Sequence, residues 1–364
     1  MTPAADAVGV FFVWPYLALL PRQRLSGGGM QEGSVTGLDG SILGGSDRVA
    51  AAIARLDALH DSDHAVLDLI ALGRSAVPGL REFLFRREPS GLFQPRCNAV
   101  VALASLGAED VLLDFLEHAP ALEIPRPIER TGEDAVINAA ARALRHRRDD
   151  TCFAALMKLA DQRPLAGVIA ALGDMGRDSA IPRLVEGLSS DFTRSVAGVA
   201  LSKFGATPRP ILIAVALNPQ PSEELETTTS LRTRWGALGV LGVIGLTIEE
   251  WTLLRPLMDA RDVRVAALAC RLALSTQQPL LDREEAIGRL IRLLKTADWI
   301  LATQIEGWLT ETYDLTLRII NRAVDRGDSA VRSDVVRASL LRVIGSGAAK
   351  SLSVTLPHVS TSRS

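Results

Sequence analysis

The stretch "HDSDH", residues 60–64, comes closest to a metal site. His60 and His64 stand four apart, a spacing that shares one helix face, with Asp61 and Asp63 as further donors. It falls, however, at a break between apolar helical runs, where Asp and Ser serve as N-caps, and capping is the expected role. Cys97, Cys152 and Cys270 are each more than fifty residues from the next, which gives neither a zinc spacing nor a disulfide framework. They read as small buried apolar side chains in a reducing, cytoplasmic compartment. The glycine-rich "SGGGMQ" and "GGSDR" are not followed by the Lys-Ser/Thr of a phosphate loop. Nor is there a Gly-x-Ser-x-Gly elbow. No catalytic residue, no metal site and no cofactor is expected.

The chemistry that does recur is arginine. Arg96, Arg194, Arg234 and Arg264 each precede a recurrent turn position, Gly107, Gly205, Gly245 and Ser275, by eleven residues. A line of guanidiniums could hold phosphates or carboxylates. The same regularity suits an internal ladder in which each arginine bonds a carboxylate or carbonyl of a neighbouring repeat. The ladder is expected. If the line instead binds, its residues are Arg194, Arg234 and Arg264, with Trp235 and Trp251 from the tryptophans gathered in the C-terminal half. For those indoles, packing between repeats is the expected role.

These residues are positioned by a repeated helical unit. Gly73, Gly107, Gly176, Gly205, Gly245 and Gly345 each follow an Ala/Leu/Val-rich run, and Arg145, Ser275 and Thr310 take the equivalent place where the glycine is lost. The steps range from 29 to 40 residues and average 34, as in helical-pair repeats. In "AALGDMGRDSAIPRLVEGL" one helix stops at Gly176, Asp178 or Ser179 is expected to cap the next, and Pro182 falls in its first turn. Ile181, Leu184, Val185 and Leu188 then form one apolar face. In "LIALGRSAVPGLREFL" Gly73, Ser75 and Pro78 take the same three parts. A single hairpin buries too little and must stack on its neighbours.

"LGDMGRDSAIPRL" resembles the short bacterial HEAT repeat, the PBS-lyase HEAT-like type, and "LGRSAVPGL" is similar to its longer form. "DVRVAALA", residues 262–269, matches the start of that repeat. The resemblance covers roughly residues 47–345 and implies an all-α, right-handed α-α superhelix, a HEAT-like solenoid of about nine helical hairpins. It is nearly silent on activity. Relatives of this kind include protein-interaction scaffolds, phycobilin lyases that handle a bilin chromophore, and DNA glycosylases that bind duplex in a basic concavity.

Composition bears on that choice. The chain has 364 residues, is 48% hydrophobic, and carries a net charge of −2. Near-neutrality argues against a nucleic-acid partner. The apolar "VGVFFVWPYLALL", residues 8–20, is shorter than the roughly 20 residues a spanning helix needs, and Pro15 interrupts it, which argues against stable membrane insertion. The organisation expected is a Gly-rich leader at 1–45, a solenoid at 46–346 and a tail at 347–364. Two insertions, 120–134 and 218–233, read as extended loops leaving one edge. The expected function is a non-catalytic scaffold that binds a protein partner along a concave face lined by the second helices.

Overall fold

The computed structural model describes residues 45–58, 61–86, 93–119, 126–222, 225–275 and 278–355. The chain divides into two units, Met1–Gly44 and Gly45–Ser364. His60 and the leader up to residue 44 lie outside the described residues.

The second unit is all-α. Its helices are α1 Gly45–Leu56, α2 Ser62–Leu72, α3 Val77–Phe85, α4 Gln94–Ser105, α5 Glu109–His118, α6 Pro127–Ala143, α7 Asp150–Gln162, α8 Ala166–Met175, α9 Ile181–Glu186 and α10 Arg194–Ser202. There follow α11 Arg209–Leu217, α12 Thr228–Ile244, α13 Ile248–Leu254, α14 Val263–Ala273, α15 Leu280–Leu293, α16 Trp299–Glu311, α17 Tyr313–Asp325, α18 Ser329–Arg332 and α19 Asp334–Thr355. Among the described residues, strand is confined to the two-residue pair β1 Pro221–Ser222 and β2 Leu225–Glu226.

The helices stack in two layers. The first helices of the hairpins, α2, α4, α6, α8, α10, α12, α14 and α16, each pack on the next, and α19 closes the row against α16. The second helices, α3, α5, α7, α9, α11, α13, α15 and α17, form the other layer, with α1 packed beside α3. The described residues thus hold eight complete hairpins, flanked by α1 at one end and by the short α18 and the long α19 at the other, close to the nine or so hairpins expected. One apolar core runs between the layers, from Val49, Leu69 and Leu80 through Leu172 and Leu212 to Leu309 and Val343.

The hairpin turns form for the reason the sequence suggests. Gly176 has φ +67°, ψ +30°, the left-handed conformation that ends a helix at little steric cost when no Cβ is present. Gly73, Gly107, Gly205 and Gly245 also have positive φ. Gly345 does not: it lies inside α19, and Thr310 lies inside α16. The glycine that turns the chain near that end is Gly327, φ +68°, in "DRGDS", where Asp328 accepts from Ala330 N at 2.9 Å to start α18.

The expected caps are corrected too. Ser75 and Asp178 lie within 3₁₀ turns, Gly73–Ala76 and Asp178–Ala180, that lead into α3 and α9 without side-chain caps. The tighter turn already engages the N–H groups a cap would satisfy, and the Ser75 hydroxyl donates to Leu72 O instead. Asp61 precedes α2 but makes no capping bond either. Pro78 and Pro182 do sit in the first turns of their helices.

Both insertions are shorter than expected. Pro127 opens α6, so residues 127–134 are helix rather than extended chain. Thr227 accepts from Ser230 N and starts α12, so residues 228–233 are helix, and Pro221–Ser222 pairs with Leu225–Glu226 in a two-residue ribbon.

Candidate functional site

The periodic arginines sit near the starts of first helices. Arg96 donates from Nε to Leu84 O at 2.8 Å, Arg194 to Leu188 O at 3.1 Å and Arg234 to Ala216 O at 2.8 Å. Leu84 and Ala216 belong to the last turns of α3 and α11, and Leu188 to the 3₁₀ turn Gly187–Ser189 that ends α9. Carbonyls there have no intrahelical partner, and the helix dipole favours a cation. Each of the three also holds a carboxylate. Arg96 grips Glu133 with both Nη atoms, Arg194 reaches Asp191 at 2.7 Å, and Arg234 reaches Glu226 at 2.5 Å.

Arg264 breaks the pattern. Met258 O, the carbonyl in the corresponding last turn, accepts at 3.3 Å from Arg289 of α15 instead. Among the described residues the Arg264 guanidinium donates no hydrogen bond, and Asp298 stands 4.0 Å from it. Its Cζ lies over the Trp235 ring, 4.9 Å from the centroid, with the side chain 29% exposed. Trp235 is oriented by Asp262, whose Oδ1 accepts from the indole Nε1 at 3.0 Å and from Val265 N at 2.8 Å. One carboxylate therefore both caps α14 and holds the ring on which Arg264 rests.

The other candidates are placed differently. Arg234 is buried, its side chain 7% exposed between Glu226 and the end of α11. Trp251 is 1% exposed and donates to Asp282 Oδ2 at 2.9 Å across to the next repeat. Of the binding candidates, only Arg264 and Trp235 come together. Arg264 keeps the eleven-residue spacing of the other three arginines, and what singles it out is Arg289, whose position that pattern does not mark.

This difference carries an expected result. Arg234→Ala leaves a partly buried carboxylate and a helix-end carbonyl without their donor and should cost ~1–3 kcal/mol. Arg264→Ala removes only a partly exposed cation–π contact and should cost under about 1 kcal/mol. Urea unfolding of the two variants checks this, and equal losses would place Arg264 in the ladder with the rest.

Both layers carry ion pairs and exposed apolar side chains. Leu253, Leu281 and Val324 are exposed on second helices, and first-layer helices are joined by Arg271 to Glu311 and Arg342 to Glu306, both at 2.6 Å. Successive second helices are joined by ion pairs: Arg81 to Asp114 at 2.6 Å, Arg255 to Asp282 at 2.9 Å and Arg322 to Glu284 at 2.9 Å. The first helices turn apolar side chains outward. Leu67, Val199, Val243 and Leu341 are all exposed, Val243 to 75%. Leu67 stands two residues from buried Ala65 and Leu69, and Val199 two from Ala197 and Leu201. At about 100° per residue that is the side of the helix opposite the core. Gly239 lies on the same side of α12, with open space where its Cβ would be.

No acid–base or metal constellation accompanies this face. Among the described residues no group of three or more His, Cys, Asp or Glu could hold a metal ion. Burial pushes the thiols of Cys97 and Cys152 up to about 11 and that of Cys270 to about 12, so none offers a thiolate near neutral pH. No described helix is long and apolar enough to cross a membrane.

No family model matches the chain, and no curated protein matches it. Among solved structures, the complex of CpcE and CpcF of phycocyanin lyase from Nostoc sp. PCC7120 is similar, at 22% identity over 72% of this chain and 100% of that one, with a TM-score of 0.30. A likeness at that level carries neither fold nor function across.

Proposed function

We propose that this chain is a HEAT-like, non-catalytic scaffold that binds a protein partner along the outer face of its first helices. The observation that supports this is the row of exposed apolar side chains, Leu67, Val199, Val243 and Leu341, that runs along the first-helix layer from α2 to α19. The second-helix layer, where the partner was expected, also exposes Leu253, Leu281 and Val324, but these lie in α13, α15 and α17, whereas the first-helix row extends from α2 to α19. Exposed apolar residues gathered on one side of a repeat array suit an interaction surface. A preformed surface of this kind loses little conformational entropy on binding.

The test is retention of partners by immobilised protein. A Val199→Glu, Val243→Glu double variant should lose proteins that the wild type retains, while Lys158→Glu on the exposed side of α7 should keep them. The reverse pattern would return the binding surface to the second helices.

A further inference from the structure

We infer that Arg264, stacked on Trp235, is a carboxylate-receiving subsite on the first-helix face, and that it works with Arg271 to select an acidic helical segment of the partner. The inference rests on the scaffold reading and names the chemistry of its partner.

Three observations support it. First, the structural task of an arginine in this place is already done by another residue, because Arg289 holds Met258 O. Arg264 is thus released from the ladder that engages Arg96, Arg194 and Arg234. Second, the guanidinium is held rather than loose. The guanidinium carbon sits 4.9 Å from the centroid of an indole that Asp262 orients, and the N–H edge of the guanidinium donates no hydrogen bond among the described residues. Carboxylates match that edge in a bidentate fork.

Third, the arrangement is repeated along the same helix. Arg271 lies seven residues after Arg264, two turns along α14 and ~10.5 Å at 1.5 Å per residue. It rests over the Trp308 ring of α16, 5.9 Å from the centroid. Two stacked arginines therefore face outward two turns apart, with partly buried Leu268 between them. A helix that carries Glu at two positions seven apart, with a small apolar residue between, presents the complementary pattern. The carboxylates facing these arginines are Asp298, 4.0 Å from Arg264, and Glu311, 2.6 Å from Arg271. Arg264 is therefore the first anchor, and Arg271 must exchange Glu311 for the incoming acid. Nearby Arg232 is held by Asp191 at 2.8 Å and takes no part.

The experiment uses the full chain and a capped, Ala-rich helical peptide with Glu at two positions seven apart, compared with the same peptide carrying Gln. Binding is followed by tryptophan fluorescence and calorimetry at low salt. The Glu peptide should bind about ten-fold more tightly than the Gln peptide, and the preference should shrink as salt rises, since these charges are partly exposed. Arg264→Gln should abolish the preference without lowering the melting temperature, and Arg318→Gln on exposed α17 should leave it intact. Should Arg264→Gln fold poorly, Arg264→Lys keeps the charge without the planar fork and should weaken the preference several-fold.

Equal binding of the two peptides by the wild type, no binding of either, or a preference that survives Arg264→Gln overturns the inference. If partner capture still depends on Val199 and Val243 in that event, the scaffold reading stands and only its acidic specificity falls. Loss of that dependence alongside an intact Glu preference would reject the apolar face and keep the arginine subsite.

Discussion

Arg96→Ala is expected to lower stability by about 3–5 kcal/mol, the range for stripping one partner from a buried ion pair. Glu133 is 5% exposed and accepts from Arg96 at 2.6 and 3.3 Å. With the arginine gone, that carboxylate is left buried without its ion-pair partner, and Leu84 O at the end of α3 loses its donor as well. The guanidinium also lies 5.5 Å from the Phe115 ring, so the same deletion loosens α5. Elements of three successive hairpins meet at this one side chain. A double change, Arg96→Met with Glu133→Leu, should recover most of the loss, because no buried charge then remains uncompensated. Urea unfolding of the single and double variants decides the matter. A single-variant loss below about 1 kcal/mol would mean that water reaches Glu133 and that the pair is a surface contact.

Gly173→Ala should cost about 2–3 kcal/mol, while the same substitution at Gly239 should gain ~0.5–1 kcal/mol. A Cβ on Gly173 would stand 2.5 Å from Ala200 Cβ and 2.9 Å from Ala200 Cα. Both obstacles are fixed to the backbone of α10, so no rotamer change relieves them and α8 and α10 must part. Gly239 has nothing within 4 Å of its Cβ position, and there alanine only removes the entropy cost of a mid-helix glycine. Melting temperatures of the two variants should move in opposite directions. A neutral Gly173→Ala would show that first helices can separate freely, contrary to the close approach also seen at Gly167, whose Cβ would meet Asn138 O at 2.4 Å.

Local chemistry was legible in the chain. Helix capping by a left-handed glycine is a property of a few consecutive residues, so Gly73, Gly107, Gly176, Gly205 and Gly245 marked their turns correctly. The all-α class followed from the Ala/Leu-rich runs between them. Gly345 misled because the leucine- and valine-rich run before it looks the same whether the helix stops or continues through α19. The true turn at Gly327 had a signal in the following Asp-Ser, an N-cap pair, but it fell outside the 34-residue rhythm. Proline misled in the first insertion, where Pro127 starts a helix instead of prolonging a loop, since its missing N–H costs nothing at that position.

The candidate site was legible only as a set of arginines. Arg96, Arg194, Arg234 and Arg264 share one spacing, and sequence alone gives them one role. Their difference is decided by which carbonyl each can reach, and that depends on neighbours far along the chain: Leu84, Leu188 and Ala216 accept from three of them, while Arg289 takes Met258 O from the fourth. The side of a first helix that faces outward was likewise beyond the pattern of any one repeat. Val199 and Val243 belong to strongly apolar helices, and only the stacking of α8, α10, α12 and α14 leaves them exposed while Arg234 and Trp251 are covered. Burial in a stack is a property of adjacent repeats, and a hydrogen-bond partner is chosen by competition among all groups within reach. Neither is written in a single hairpin, so the tertiary structure decides both.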